Sequence, residues 1–506
     1  MTTRKKKWIL VIAILVMIPS ILVLGTIAVV ERRLDAELAK IEARGEPIAF
    51  EDIVPPPVPD EENGAVELVR AFAMRPDADP RDSDILGVDT SAVRPITISG
   101  EDDGWLYMQT DRRFETMSAE ELQRLRSLLS KYEPIFASIR RGLDKPTVRF
   151  DLHYEKCGAT LLPHLNPLRI SAKLLSLKAD IAIYDGQTDR VIETIELLLD
   201  MAAVLDEEPT VISQLTGIAI RSVALHRVQS LVLTGNLDRE QMGRLAYSLS
   251  QHIRRGAAKR WLMWERVWDH EGCDRLRRNP EAWRDYYLEK PLQLRFDTYI
   301  SANETELLRF LGPFVDHADM CLKDYLAAPK PSPIPEWAKL AHLMYTFYYD
   351  NVIEDEAKSQ AIIRSAHAAL RSGARFKGGM PRADALALPE GPGGIDPYDG
   401  NPLHLRIGEN GREVTAYSVG PNFLDDKGRP YLEPIVEWVD PETGEPPEDE
   451  DPFQPSFDPD PHADLERIER KPDENDPANF WDAPDTPAPG TPDDLRFRVR
   501  LVPKEG

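Results

Sequence analysis

Polar and apolar positions divide the chain before any motif is considered. Trp8 to Val30 is an uncharged apolar run of 23 residues. As a helix rising about 1.5 Å per residue it covers the roughly 30 Å of bilayer hydrocarbon. Glu31 to Arg44 then holds strong helix formers up to Gly45, so the membrane helix is expected to continue as a short stalk that stops at that glycine. Val54 to Pro59 (VPPPVP) must be extended, because each proline fixes φ and disfavours helix in the residue before it. From about residue 63 to 382 the apolar spacing is helical. Ser118 and Glu121 have the spacing of a capping box, and Leu122, Leu125, Leu128 and Leu129 form one face.

Between Leu168 and Ile253 the pattern predicts helical hairpins in series. One helix ends at Tyr184, and Asp189 is expected to cap the next, whose stripe is Val191, Ile192, Ile195, Leu198, Leu199 and Ala202. Pro209 suits the first turn of a third, mostly apolar helix. Gly186 to Arg190 and Gly235 to Arg239 repeat one turn chemistry 49 residues apart, a Gly stop followed by an Asp cap. That period is longer than a tetratricopeptide repeat, so the body reads as repeat-like without belonging to that family. Beyond Ala383 the period changes to two. Leu403 to Arg406 and Glu413 to Val419 read as strands around a turn at Gly411, and Leu495 to Leu501 alternates apolar residues with Arg496, Arg498 and Arg500.

The predicted fold is therefore mainly α: a transmembrane helix, a helical-hairpin body and a small antiparallel β tail interrupted by a disordered acidic insertion. By number the parts are a basic tip (1–7), the anchor (8–30), stalk helix and proline-rich spacer (31–62), helical domain (63–382), β tail (383–439), insertion (440–494) and final strand (495–506).

Charge sharpens this division. The 62 Lys and Arg against 86 Asp and Glu give a net charge of −24. That argues against a generic nucleic-acid binder, whose affinity needs clustered positive charge. The segment 440–494 carries −16 of this total together with 13 prolines, too little apolar surface to offset the entropy of ordering. Arg4, Lys5, Lys6 and Lys7 precede the apolar run, so the positive-inside rule keeps that end in the cytoplasm and sends the body across the membrane. A cleaved signal peptide is the rival reading, but its apolar region normally spans only about 7–15 residues. Three cysteines, Cys157, Cys273 and Cys321, are too few and too far apart for a disulfide framework or a paired-cysteine zinc site.

In the tail, Asp396-Pro397-Tyr398-Asp399-Gly400-Asn401-Pro402-Leu403, then Tyr417-Ser418-Val419-Gly420-Pro421-Asn422, then Asp425-Asp426-Lys427-Gly428 resemble, in order, the carboxy-terminal motifs of type II secretion major pseudopilins. The whole arrangement also resembles a set of uncharacterised bacterial membrane-anchored proteins with a helical body and such a tail. The resemblance implies a place in the bacterial inner membrane, with the bulk periplasmic, and protein partners in the cell envelope besides the lipid bilayer. It also implies calcium, with the Val419 carbonyl, Asn422, Asp425, Asp426, Asp493 and Asp494 as candidate ligands, because hard cations favour carboxylate and carbonyl oxygens. The same Asp, Asn and Gly residues also suit turns, where they bond their own backbone.

Other constellations point less clearly to chemistry. His153, Glu155, Cys157 and His164 lie close in sequence but match no metal spacing, and a structural role is favoured. Trp261, Trp264 and Trp268 share one helix face and suit either core packing, the favoured reading, or an aromatic platform. His226 on its apolar helix reads as a core histidine. The chain has no GxSxG, P-loop, GxGxxG or HExxH motif. The leading expectation is a non-catalytic extracytoplasmic scaffold. The alternative is an envelope hydrolase with a pocket near His153 to His164 or the tryptophan stripe.

Overall fold

A computed structural model of the chain describes residues 3–74, 118–279, 297–344, 349–408, 411–425, 427, 435–439, 466–470 and 495–501. The fold is mainly helical. Helix α1 runs unbroken from Thr3 to Ala43 with Pro19 inside it. Ser20 and Thr26 donate their hydroxyls to the Val16 and Leu22 carbonyls (2.8 and 2.9 Å), so these polar groups are satisfied within the helix. Among the described residues it is the one helix long and apolar enough, by length and composition, to cross a membrane.

The continuation of α1 is docked rather than free. Leu34, Leu38 and Ile41, one helical stripe, pack against Leu308, and Leu34 and Ile41 are buried. Gly45 ends the helix at φ +66°, as its sequence position predicts. The short helix α2 (Phe50–Ile53) follows, and Asp52 Oδ2 accepts from the Ile48 and Ala49 amides, both at 3.0 Å. Phe50 then meets the Trp268 ring edge to face at 5.2 Å. The stretch 31–62 thus includes packed residues as well as an extended VPPPVP run, because apolar positions on both sides of the prolines find partners in the helical body.

Asn63 opens the next section by locking two distant strands of chain: its side chain accepts from the Arg149 amide (2.9 Å) and donates to the Arg149 carbonyl (2.8 Å). Gly64 is required here, since a Cβ would lie 2.0 Å from the Gly142 carbonyl oxygen. Helices α3 (Ala65–Ala73), α4 (Ala119–Ser130) and α5 (Glu133–Leu143) follow. Helix α4 starts just after Ser118 and buries the leucine face expected of it. The side chain of Glu121, the other half of the expected capping box, lies outside the described residues.

The hairpins come next, as α6 (Leu165–Tyr184), α7 (Thr188–Ala203), α8 (Val211–Leu233) and α9 (Arg239–Ser250). Gly186 and Gly235 are both left-handed, at φ +69° and +74°. Asp238 caps α9 in a complete capping box with Gln241. Two expectations need correction. Asp189 lies inside the first turn of α7, and its carboxylate instead accepts from Gln241 Nε2 at 2.8 Å, tying the two similar turns together. Pro209 lies before α8, whose cap is Thr210: its hydroxyl oxygen accepts from the Ser213 amide at 3.0 Å.

The remaining helices are α10 (Ala257–Arg278), α11 (Asp297–His317), α12 (Leu322–Ala327), α13 (Lys339–Met344), α14 (Tyr349–Lys377) and α15 (Arg382–Ala385). The chain forms two compact units interleaved in sequence. One comprises Met1–Ile181, Glu196–Val223 and Arg254–Ala357; the other comprises Ala182–Ile195, Ala224–Ile253 and Lys358–Gly506. The β tail therefore shares its unit with helical segments.

The tail holds β1 (His404–Ile407), β2 (Glu413–Ser418), β3 (Ile435–Val439), β4 (Glu466–Arg470) and β5 (Leu495–Arg500). β1, β2 and β5 form an antiparallel sheet in that order, with His404 opposite Tyr417 and Val414 opposite Val499. Phe497 and Val499 are buried, and Gly373 of α14 approaches Val499 and Leu501 so closely that a Cβ would touch both. β3 pairs antiparallel with β4, which lies inside the acidic insertion. The expectation of a mostly disordered insertion is qualified by this one strand. The insertion's average composition conceals five residues that pair with IVEWV outside it. The rest of the insertion lies outside the described residues.

Candidate functional site

The tail loop after β2 is built around Asp396, which opens the first tail motif but is not among the candidate ligands. It is buried, and its carboxylate accepts from the Tyr398 amide (2.9 Å), the Ser418 hydroxyl (2.8 Å) and the Val419 amide (2.9 Å). These bonds join the Asp-Pro-Tyr run to the Tyr-Ser-Val-Gly run. The sequence signal was available, since an acid ahead of Pro-Tyr and a serine leaving the strand are complementary, but their contact across 22 residues was not.

The candidate calcium ligands divide around this anchor. Val419 is buried beside Asp396. Asn422 Oδ1 accepts from the Leu424 amide at 2.7 Å. Asp425 Oδ1 accepts from the Lys427 amide (2.9 Å) and the Tyr417 hydroxyl (3.2 Å), while Oδ2 takes Lys427 Nζ at 2.8 Å. The Lys427 ammonium is the main reason the Asp425 pKa falls to about 2. Asp426, Asp493 and Asp494 lie outside the described residues. Asn422 and Asp425 thus make the bonds of turn formers, each to the backbone two residues on, and a lysine already neutralises Asp425. Among the described residues, no group of three or more His, Cys, Asp or Glu side chains is arranged to hold a metal ion.

In the other unit, the candidates near residue 160 are not brought together. His153 pairs with Glu155 at 3.1 Å, both exposed. Cys157 is buried, with a left-handed φ of +50°. His164 is buried against Phe150, rings stacked at 4.0 Å, and its Nε2 meets Glu208 at 2.9 Å. The Ser213 hydroxyl also donates to Glu208, at 2.6 Å. The carboxylate sits between histidine and serine, so the serine hydroxyl donates to it and not to the imidazole that would have to act as its base. This order holds helices together and does not activate a nucleophile.

The tryptophan stripe is core. Trp261 and Trp264 are buried among Ile53, Val211, Val267 and Val352, with Trp268 packed at the edge. The same face of α10 carries polar residues that sequence reading missed. Glu265, Asp269 and Cys273 follow Trp261 at intervals of four, which should have marked them as facing the core; Asp269 and Cys273 are buried and Glu265 is partly so. Glu265 accepts from the Val211 amide at 3.0 Å, and burial pushes its pKa up to about 7. Burial, reinforced by Glu265 and Glu304, raises Asp269 well above the carboxylate range. Glu304 of α11 pairs with His270 (2.5 Å) and with Arg277. The Cys273 thiol is likewise raised, by burial first and then by Glu304 and Asp269, which suppresses thiolate chemistry.

No family model, curated protein or solved structure matches this chain. Its likeness to pseudopilins therefore rests on the order of the tail motifs alone.

The remaining polar groups are mostly spent on packing. Asp206 pairs with both Arg221 and Arg254 (2.5 Å to Arg254), and Arg254 also pairs with Glu356 (2.5 Å) while lying over the Trp261 ring at 5.0 Å. Burial lowers the His226 pKa well below its ordinary value, with Arg227 adding to the effect, so the imidazole is neutral. In the unit that holds the sheet, a cavity of about 770 Å³ is lined by Arg239, Tyr247, His367, Arg371, Arg375 and Met380.

Proposed function

We propose that the chain is a single-pass protein of the bacterial cytoplasmic membrane whose body acts outside the cytoplasm as a scaffold or interaction protein of the envelope. The observation that carries this reading is the unbroken α1, an apolar span continuous with a stalk packed onto α11. A helix joined to the body in this way transmits a fixed position to the domain it carries. The four basic residues before the span support a cytoplasmic N-terminus. Engagement of His164, Cys273 and the Arg254 cluster in buried contacts supports a scaffold over a hydrolase. The pseudopilin-like tail supports partners in secretion or envelope assembly.

Protease added to spheroplasts tests the topology. The body should be digested, and a fragment of α1 should remain in the carbonate-washed membrane pellet. A body that stays intact until the membrane is broken would refute the orientation. Affinity capture from solubilised membranes, with and without residues 383–506, tests the tail. Envelope proteins recovered only by the full chain support the reading; identical recovery from both removes the tail from it.

A further inference from the structure

We infer that the face of the first unit around Trp337 is seated in the bilayer interface, beside the point where α1 leaves the hydrocarbon. This inference rests on the reading of α1 as a membrane anchor.

The level of each residue follows from helix register. Glu37 pairs with Arg309 at 3.0 Å and Arg44 with Asp316 at 2.8 Å, and both pairs are separated by 272 residues. Two equal offsets seven residues apart, about two helical turns, mean that α1 and α11 run parallel and in step, with the same rise per residue. Val30, the last residue of the apolar run, is therefore level with Ala302, and Ile27 is level with Tyr299. Side-chain exposure agrees: from Ile14 onwards, α1 is first partly covered at Val30 and Glu31. The start of α11 consequently lies at the height of the headgroups, where the apolar run of α1 ends.

The residues held at that height suit the environment. The Tyr299 hydroxyl donates to the Trp337 carbonyl at 3.3 Å, and Asn303 Oδ1 accepts from the Leu340 and Ala341 amides at 3.0 and 3.2 Å. These bonds fix the 337–341 segment to the membrane end of α11. Trp337 is 50% exposed and Leu343 39%, large apolar surface to leave in water. Lys339 between them is exposed. Arg277 pairs with Glu304, which is level with Arg32, and the next residue, Arg278, pairs with Asp274 while its side chain stays 78% exposed. A tryptophan with an apolar body and a polar N–H is stable at the interface, and long basic side chains reach the lipid phosphates from there. Trp8, also exposed, occupies the opposite end of the span and completes a pair of aromatic anchors. The body is thereby held against the bilayer at a fixed height.

Nitroxide labels on the full chain in phosphatidylcholine and phosphatidylglycerol vesicles test this. With Cys157, Cys273 and Cys321 replaced, single cysteines are placed by Val23→Cys, Lys40→Cys and Trp337→Cys. Power saturation then compares exposure to oxygen, which partitions into lipid, with exposure to an aqueous nickel complex. The oxygen-to-nickel ratio should be highest at 23 and lowest at 40, with 337 between them and several-fold above 40. A ratio at 337 equal to that at 40, with 23 still shielded, overturns the inference and leaves the anchor standing. A water-exposed label at 23 overturns the anchor and the inference with it. As a second measure that needs no label, bromine-substituted lipids should quench the native fluorescence more than that of Trp337→Phe. Equal quenching of the two would overturn the inference.

Discussion

Replacing Glu265 by Gln should stabilise the protein at pH 8 and leave it unchanged near pH 4. Glu265 lies on α10 beside the buried Trp261 and Trp264, and burial raises its pKa from 4.5 to about 7 against a single backbone bond from Val211. Below pH 4.5 the residue is protonated both folded and unfolded and contributes nothing to pH dependence. Between pH 4.5 and 7 the unfolded chain releases the proton first, so folding loses stability as pH rises; above 7 the loss is constant. Each tenfold difference in proton affinity is worth about 1.4 kcal/mol, which makes the full loss about 3 kcal/mol. Glutamine keeps the volume and the carbonyl that accepts from Val211 but carries no charge to desolvate. It also removes one of the two carboxylates that hold Asp269 protonated. The expected gain at pH 8 is therefore about 3 kcal/mol, a rise in melting midpoint on the order of 5 °C for a unit of this size. Tryptophan fluorescence of the detergent-solubilised full chain, melted at pH values from 4 to 8, reads it directly because the reporting rings share the core with the substitution. Parallel pH profiles for the two proteins would refute the reasoning, since Glu265 would then be ionised equally in the folded and unfolded states.

Three further outcomes are expected. Asp396→Ala strands the buried donors of Val419, Ser418 and Tyr398 and should cost about 3–5 kcal/mol locally, with Asp396→Asn intermediate; trypsin cleavage after Lys427 should accelerate in that order, and unchanged cleavage would count against the anchor role. A calcium ion held by Asp425 would have to displace Lys427, so Lys427→Ala should show a larger calcium-dependent rise in melting midpoint than the native chain, and equal responses would count against Asp425 as a ligand. His367, depressed to about 4 by burial and then by Arg371, should show a midpoint near pH 4 in histidine hydrogen exchange, moving upward in Arg371→Gln. Its lowered pKa means that it removes stability as pH falls from 6.5 towards 4.

Local pattern carried the secondary structure well wherever one residue type had one mechanical role. Gly45, Gly186, Gly235 and Gly411 were legible as turn glycines because glycine alone reaches positive φ values freely, and Asp238 was legible as a helix cap, although its partner Gln241 was not. The alternation at 495–501 was legible because one face of β5 had to be buried. Asp189 and Pro209 misled for the opposite reason. Each has several compatible positions at a helix start, and the neighbours Gln241 and Thr210 decided between them. Nothing local to residues 466–470 marks a strand, because its partner β3 lies 27 or more residues earlier in the chain.

The polar interior was hidden by the same long-range logic. Glu265 and Asp269 are charged, yet they occupy the positions four and eight residues after a buried tryptophan, where helix geometry turns them towards the core. A stripe that mixes tryptophan with carboxylate signals that conflict, and burial then shifts both groups towards the protonated form. The α1 docking face shows the converse. Leu34, Leu38 and Ile41 form an apolar stripe on the stalk, but an apolar stripe states only that something must cover it. What covers it is fixed by Glu37 and Arg44, whose partners Arg309 and Asp316 stand at the same offset of 272 residues. Two ion pairs at one offset specify parallel direction and register together, which leucines that can slide by a turn do not. The exposed pairs contribute little to stability, so their consequence is geometric: they set the height at which the body meets the membrane.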